Sequence, residues 1–269
     1  MSTAKTFRVD ALLVQVYHSE ADMAQNVAEI TYQYLQYILK WQETATVLLA
    51  TGNSQIKFLQ ALLRLGQIDW SRIICFHLDE YLGIYAEHPA SFRHYLRHRV
   101  ESLVLPKQFH YIEGDTLQPL AECDRYSKLL QTQPIDLCFL GLGENGHIAF
   151  NEPSVANFQD PYKVKLVKLE AANRQQQFRQ GHFPTLESVP EYAFTVTIPQ
   201  ICTAKQIICL APEKRKAKVV KEMLHGEITT NCPASFLRQQ PQATLFLDGD
   251  SASLLWISIS SFPSANFDY

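Results

Sequence analysis

Two neighbouring carboxylates, Asp79 and Glu80, end an apolar run, and further along an imidazole, His147, follows a run of glycines with Asn151 and Glu152 close behind. Carboxylates and imidazoles are the side chains best suited to moving protons near neutrality, so these positions are candidates for general acid–base work. Adjacent carboxylates are costly to bury, which leaves an exposed edge or a functional role. Successive strand residues face opposite ways, so one of the two is expected to face a cleft. Taken alone, Asp79 reads equally well as a turn or capping carboxylate. A third polar group, Thr51-Gly52-Asn53-Ser54, stands just ahead of a helical stretch. There, free N–H groups, the helix dipole and two hydroxyls suit a phosphate or another anion. Ser54 acting only as a helix cap explains the same turn as well. No Gly-Lys-Ser/Thr follows, so this is not a Walker A loop.

Such groups need strands to aim them. Residues 135–140 form the apolar run of a strand buried on both faces of a parallel sheet, and they empty into Gly141-Leu142-Gly143-Glu144-Asn145-Gly146-His147. Gly143 and Gly146 permit left-handed backbone angles and close approach of a ligand. Further strands are expected over 11–17, 46–50, 72–78, 164–169, 193–198, 206–211 and 242–247. Ser19 resembles a helix cap, and Met23, Val27, Ile30, Tyr34 and Ile38 follow at helical spacing as a buried stripe. Other helices are predicted over 55–65, stopped by Gly66, and over 213–225. A helix starting within 87–92 carries Arg93, His94, Arg97, His98 and Arg99; with no third ligand beside His94 and His98, it reads as a solvated basic face. The alternation predicts a three-layer α/β fold, a doubly wound, mostly parallel, Rossmann-like sheet in one domain over 1–255. A serine-containing tail, 256–269, is expected to be loosely held.

Composition excludes several classes. With 24 basic against 27 acidic residues among 269, there is no electrostatic case for nucleic acid or a membrane surface as partner. No apolar run approaches a membrane-spanning length and no export signal opens the chain, so a cytoplasmic protein is expected. The six cysteines form no C-x-x-C pair and read as buried reduced thiols. Gly141, Gly143 and Gly146 match the dinucleotide spacing, but Pro153 leaves room for barely two helical turns after them, which argues against a nicotinamide or flavin enzyme. Neither G-x-S-x-G nor H-E-x-x-H occurs.

Leu78-Asp79-Glu80-Tyr81, Glu87-His88-Pro89, the run from Gly141 through His147-Ile148-Ala149-Phe150-Asn151-Glu152-Pro153, and Val189-Pro190-Glu191-Tyr192-Ala193 resemble the glucosamine-6-phosphate deaminase family. The resemblance implies conversion of glucosamine 6-phosphate and water to fructose 6-phosphate and ammonia, with no metal and no organic cofactor. It implies His147 as ring-opening base, oriented by Glu152, and Asp79 as the base that moves a proton from C2 to C1. It places the phosphate on Thr51, Gly52, Asn53 and Ser54, on Lys216 with Lys214 as the alternative, and on Arg179 with Arg174 competing. Many members carry Asp where this chain has Asn145; an amide can position an imidazole but cannot give its cation a full counter-charge. The related 6-phosphogluconolactonases share the glycine turn and the histidine but usually differ at Phe150-Asn151-Glu152-Pro153. A lactonase, another isomerase or a catalytically weak sugar-phosphate sensor are therefore the alternatives, and subunit number is left open.

Overall fold

The chain opens with a hairpin rather than a lone strand: β1 (Lys5–Val9) pairs antiparallel with β2 (Leu12–Tyr17) across a tight turn at Asp10, whose φ is +51°. The expected first strand is β2; β1 keeps its side chains exposed or half-buried and so carried no apolar run. The computed structural model describes residues 5–255, so the expected tail over 256–269 lies outside the described residues. Ser19 caps α1 (Glu20–Trp41) by accepting from the Asp22 N–H at 3.1 Å, and Met23, Val27 and Ile38 of the expected stripe are buried. Next come β3 (Ala45–Leu49), α2 (Asn53–Arg64), β4 (Ile73–His77) and β5 (Asp79–Tyr81). They are followed by α3 (Phe92–Leu96), α4 (Ser102–Val104), β6 (Gln108–His110), α5 (Pro119–Leu130) and β7 (Leu137–Gly141). The remainder is β8 (Val164–Lys168), α6 (Ala171–Arg179), β9 (Tyr192–Val196), α7 (Ile198–Ile201), β10 (Gln206–Leu210), α8 (Ala217–His225) and β11 (Ala243–Asp248).

Eight strands form the main sheet in the order β1-β2-β11-β10-β7-β3-β4-β6, and every neighbouring pair beyond the hairpin is parallel. From β3 the chain steps outward to β4 and β6; from β7 it steps the other way to β10 and β11. Right-handed crossovers put helices made in opposite directions on opposite faces, and α1 and α2, both made in the first direction, pack together. β3, β4 and β11 are accordingly buried along their whole length. The strand order reverses between β3 and β7, and ligands of such sheets bind outside the carboxyl ends at that reversal. The two strands that empty into Thr51–Ser54 and Gly141–His147 are these two, so topology alone brings the turns together.

One expectation of the strand pattern is corrected. The strands expected over 164–169 and 193–198 exist as β8 and β9, but they lie outside the main sheet: β9 runs antiparallel between β5 and β8 in a second, three-stranded sheet. No helix follows the glycine turn to carry the chain back across the parallel sheet, which is what a parallel partner needs. Tyr81, Phe150, Phe183, Val189 and Ala193 give this small sheet its own apolar cluster. All six cysteines are free; five are buried and Cys202 is half-buried.

Candidate active site

A single pocket is lined by the carboxyl-end turns of β3 and β7 together with Asp79, Tyr81, Tyr95, Arg99, Asn173, Arg215 and Lys216. On its first wall, α2 begins at Gly52, whose φ of +94° no side-chain residue adopts readily and whose side provides no cap. Ser54 is already inside the helix and caps nothing, so the simple capping explanation is set aside. Its Oγ instead accepts from Gln55 Nε2 at 3.1 Å, and the same nitrogen donates to the Leu140 carbonyl at 3.2 Å. Gln55 thus ties the start of α2 to the end of β7. With its oxygen already accepting, the Ser54 hydroxyl is left to donate toward the pocket, alongside first-turn N–H groups that have no partner within the helix.

Asp79 comes from the point where the chain leaves the main sheet. Leu78 still donates to the Leu49 carbonyl at 3.2 Å, while its own carbonyl accepts from Val196 of the small sheet at 2.8 Å. Strand alternation then sends Asp79 and Tyr81 to the pocket and Glu80 to the other side. The Asp79 carboxylate is 7% exposed and makes no hydrogen bond or ion pair among the described residues. Burial, and secondarily the neighbouring Glu80, hold its pKa well above the usual carboxylate range. Glu80 is fully buried and accepts from Ser91 Oγ at 2.8 Å, Arg93 N–H at 2.9 Å, Tyr81 N–H at 3.0 Å and Phe92 N–H at 3.1 Å. It therefore closes the amino end of α3, where a carboxylate is electrostatically favoured. Arg93 is a correction to the expected solvated face: it is 5% exposed, and its Nη2 lies 2.8 Å from Asp115. His94 and His98 stack their rings 4.0 Å apart on the outer surface.

His147 sits on the third wall. A Cβ at Gly143 would collide with the imidazole ring, so only glycine lets the ring lie flat against the turn, and Gly146, at φ +84°, abuts Cys232. Asn145 Oδ1 lies 2.6 Å from His147 Nδ1, which leaves Nε2 as the free nitrogen. Burial, then the Lys216 ammonium, lowers the His147 pKa to about 3, so the resting ring is neutral at physiological pH. Lys216 is 6% exposed and has neither hydrogen bond nor ion pair among the described residues. Burial and Arg215 lower its pKa to about 8. A nine-tenths buried ammonium without a partner among the described residues, facing the pocket, suits an anionic group of a ligand.

Asp79, His147, Thr51, Gly52, Asn53, Ser54, Gly143 and Lys216 all reach this pocket, with Asn145 directly behind His147. Other expectations change. Glu152 does not touch His147: its fully buried carboxylate accepts from the Glu170 N–H at 2.7 Å and from Asn173 Nδ2, and so fastens α6. Arg179 is exposed at the end of α6 and does not line the pocket, and Arg174 donates to the carbonyls of Leu186 and Val189. Lys214 is likewise absent from the lining, and so is Gly146, expected to bind substrate, which faces Cys232 instead. Among the described residues, the arginine that does reach the pocket without an acidic partner is Arg99, whose guanidinium lies 4.9 Å from the Tyr95 ring centroid. Tyr95 in turn donates to the Gly52 carbonyl at 3.0 Å, which places that cation beside the anion turn. Arg215 also lines the pocket but is paired with Glu213 at 2.7 Å and Glu144 at 2.9 Å.

A parallel α/β sheet whose switch point joins an anion turn, a buried free carboxylate and a neutral imidazole has the parts of an enzyme site for a small anionic substrate. The sequence profile of the glucosamine-6-phosphate isomerases/6-phosphogluconolactonase family matches residues 18–246, and the chain belongs to that family. It is 35% identical to the glucosamine-6-phosphate deaminase of Exiguobacterium sibiricum over 87% of this chain and 91% of that protein. With the Lactobacillus delbrueckii subsp. bulgaricus deaminase the identity is 34%, over 87% and 98%. A solved monomeric glucosamine-6-phosphate deaminase superposes with a TM-score of 0.83 at 32% identity, covering 90% of this chain and 99% of that one. A Shewanella baltica 6-phosphogluconolactonase superposes at 0.72 with 18% identity over 90% and 100%, which shows the common fold. No helix among the described residues is long and apolar enough to cross a membrane.

Proposed function

We propose that this chain deaminates and isomerises glucosamine 6-phosphate, giving fructose 6-phosphate and ammonia. The observation that carries this reading is Asp79, a buried carboxylate with no partner among the described residues, facing the same pocket as His147 and Lys216. His147 Nε2 takes the anomeric hydroxyl proton as the ring opens, and its imidazolium serves as the acid for the ring oxygen. Asp79 then removes the C2 proton from the open aldose, leaving an enolamine, and returns the proton to C1. The resulting C2 imine adds water and releases ammonia, so atoms balance with one water consumed. Its raised pKa suits Asp79 to hold the proton between the two transfers. Hydrolysis of a lactone needs no second base of this kind. The test is to incubate the protein with glucosamine 6-phosphate and, separately, with 6-phosphogluconolactone. Ammonia and fructose 6-phosphate in equal amounts without added metal are expected; acid release from the lactone alone reverses the reading.

The phosphate lies between the α2 amino end, Lys216 and Arg99. Charge-assisted hydrogen bonds contribute about 1.5–3 kcal/mol each, so Arg99→Gln should raise KM roughly ten- to a hundredfold with a smaller change in kcat. Arg179→Gln should leave both within roughly twofold, since surface substitutions seldom exceed about 0.5 kcal/mol. Inorganic phosphate competition gives the same ranking independently of turnover; the opposite order would return the phosphate to Arg179.

A further inference from the structure

His147 takes its orientation from one amide, and the far end of that amide meets a carboxylate. Asn145 Oδ1 accepts from the His147 backbone N–H at 3.2 Å as well as facing Nδ1 at 2.6 Å. Two donors fix the oxygen end, so the NH2 end must point away from the ring. It donates to Glu170 Oε2 at 3.4 Å. Glu170 is the residue that immediately precedes α6, and it is held from both sides. The Ser154 N–H donates to its other oxygen at 3.0 Å, and its own N–H donates to Glu152 at 2.7 Å.

We propose that Glu170 is a positioning carboxylate for His147, acting through Asn145. An anion at the NH2 end polarises the amide and makes Oδ1 a stronger acceptor, because hydrogen bonds in a chain reinforce one another. The imidazolium formed when His147 accepts a proton is then stabilised by a charge one side chain removed, and a neutral amide at position 145 suffices. Lys216 acts on the ring directly and opposes that cation, so a counter-charge on the Asn145 side offsets it. Glu152 contributes only by clasping Glu170 and Asn173. This inference rests on His147 opening the sugar ring.

Glu170→Gln keeps the side chain's length and removes the charge, leaving one acceptor oxygen for the two donors, Asn145 Nδ2 and Ser154 N–H, that the carboxylate holds with two. It should lower kcat on cyclic glucosamine 6-phosphate roughly three- to tenfold while leaving an open-chain analogue nearly unaffected, since a positioning charge acts only on the step it serves. The His147 Nδ1–H proton resonance should move upfield in Glu170→Gln as the bond to Asn145 weakens, and downfield in Asn145→Asp. In the Asn145→Asp background a carboxylate touches the ring directly, so adding Glu170→Gln should cost nothing further. Equal losses in both backgrounds, or on both substrate forms, would show a clasp for α6 and overturn the proposal. Should the wild type turn over neither form, the functional reading fails, while an unmoved Nδ1–H resonance would still sink Glu170 by itself.

Discussion

Asp79→Asn is expected to lower kcat on glucosamine 6-phosphate by roughly a hundred- to ten-thousandfold, the usual contribution of a positioned general base. The amide has the carboxylate's shape but cannot take the C2 proton. Fold and phosphate binding should survive, because the Asp79 side chain makes no hydrogen bond or ion pair among the described residues and the anion turn belongs to another wall. Stability gives a second readout. A carboxyl group whose pKa is raised by folding holds more protons in the native than in the unfolded state, so stability falls as pH rises through the interval between the two values. Asp79→Asn removes that term. Its melting temperature should equal or exceed the wild type's at neutral pH, and the difference should shrink below the unfolded carboxylate pKa, where both states are protonated. A variant keeping more than roughly a tenth of wild-type turnover would end this role for Asp79.

His147→Ala should damage turnover of the cyclic sugar by a similar factor, on the order of a hundredfold or more, while an analogue already in open-chain form loses far less. The contrast matters because the ring also packs on Gly143, and removing it leaves a gap beside the turn. General disturbance of the turn would depress both substrates together. Loss confined to the cyclic form identifies a group whose work is finished once the ring has opened.

Much of this site is legible in the chain because it hangs on buried strands. The apolar runs that became β3, β4 and β7 announce themselves, and the turns after β3 and β7 meet because parallel sheets bind ligands where strand order reverses. The pairing of β5 with β9 is not legible: Asp79 lies opposite Thr195, a partner far along the chain that no local pattern specifies. Arg99 escaped for a different reason. It stands four residues after Tyr95, an ordinary helical neighbour, but the Tyr95 hydrogen bond to the Gly52 carbonyl that sets the pair beside the anion turn joins segments 43 residues apart. Arg93 looked solvated because its partners, Glu80 and Asp115, flank the helix in sequence without lying on it. Glu152 was placed on His147 by resemblance, whereas the bonds that decide its role run to Glu170 and Asn173.

The peptide at Leu78 belongs to both sheets at once, bonded to Leu49 on one side and to Val196 on the other. It is therefore the seam between them. Asp79 is the very next residue, so the proposed base stands where two sheets brace the backbone, while α6, which brings Asn173 and Gln176 to the pocket, links the other two strands of the small sheet, β8 and β9. One wall of the pocket thus belongs to the small sheet alone, and the carboxylate belongs to the join.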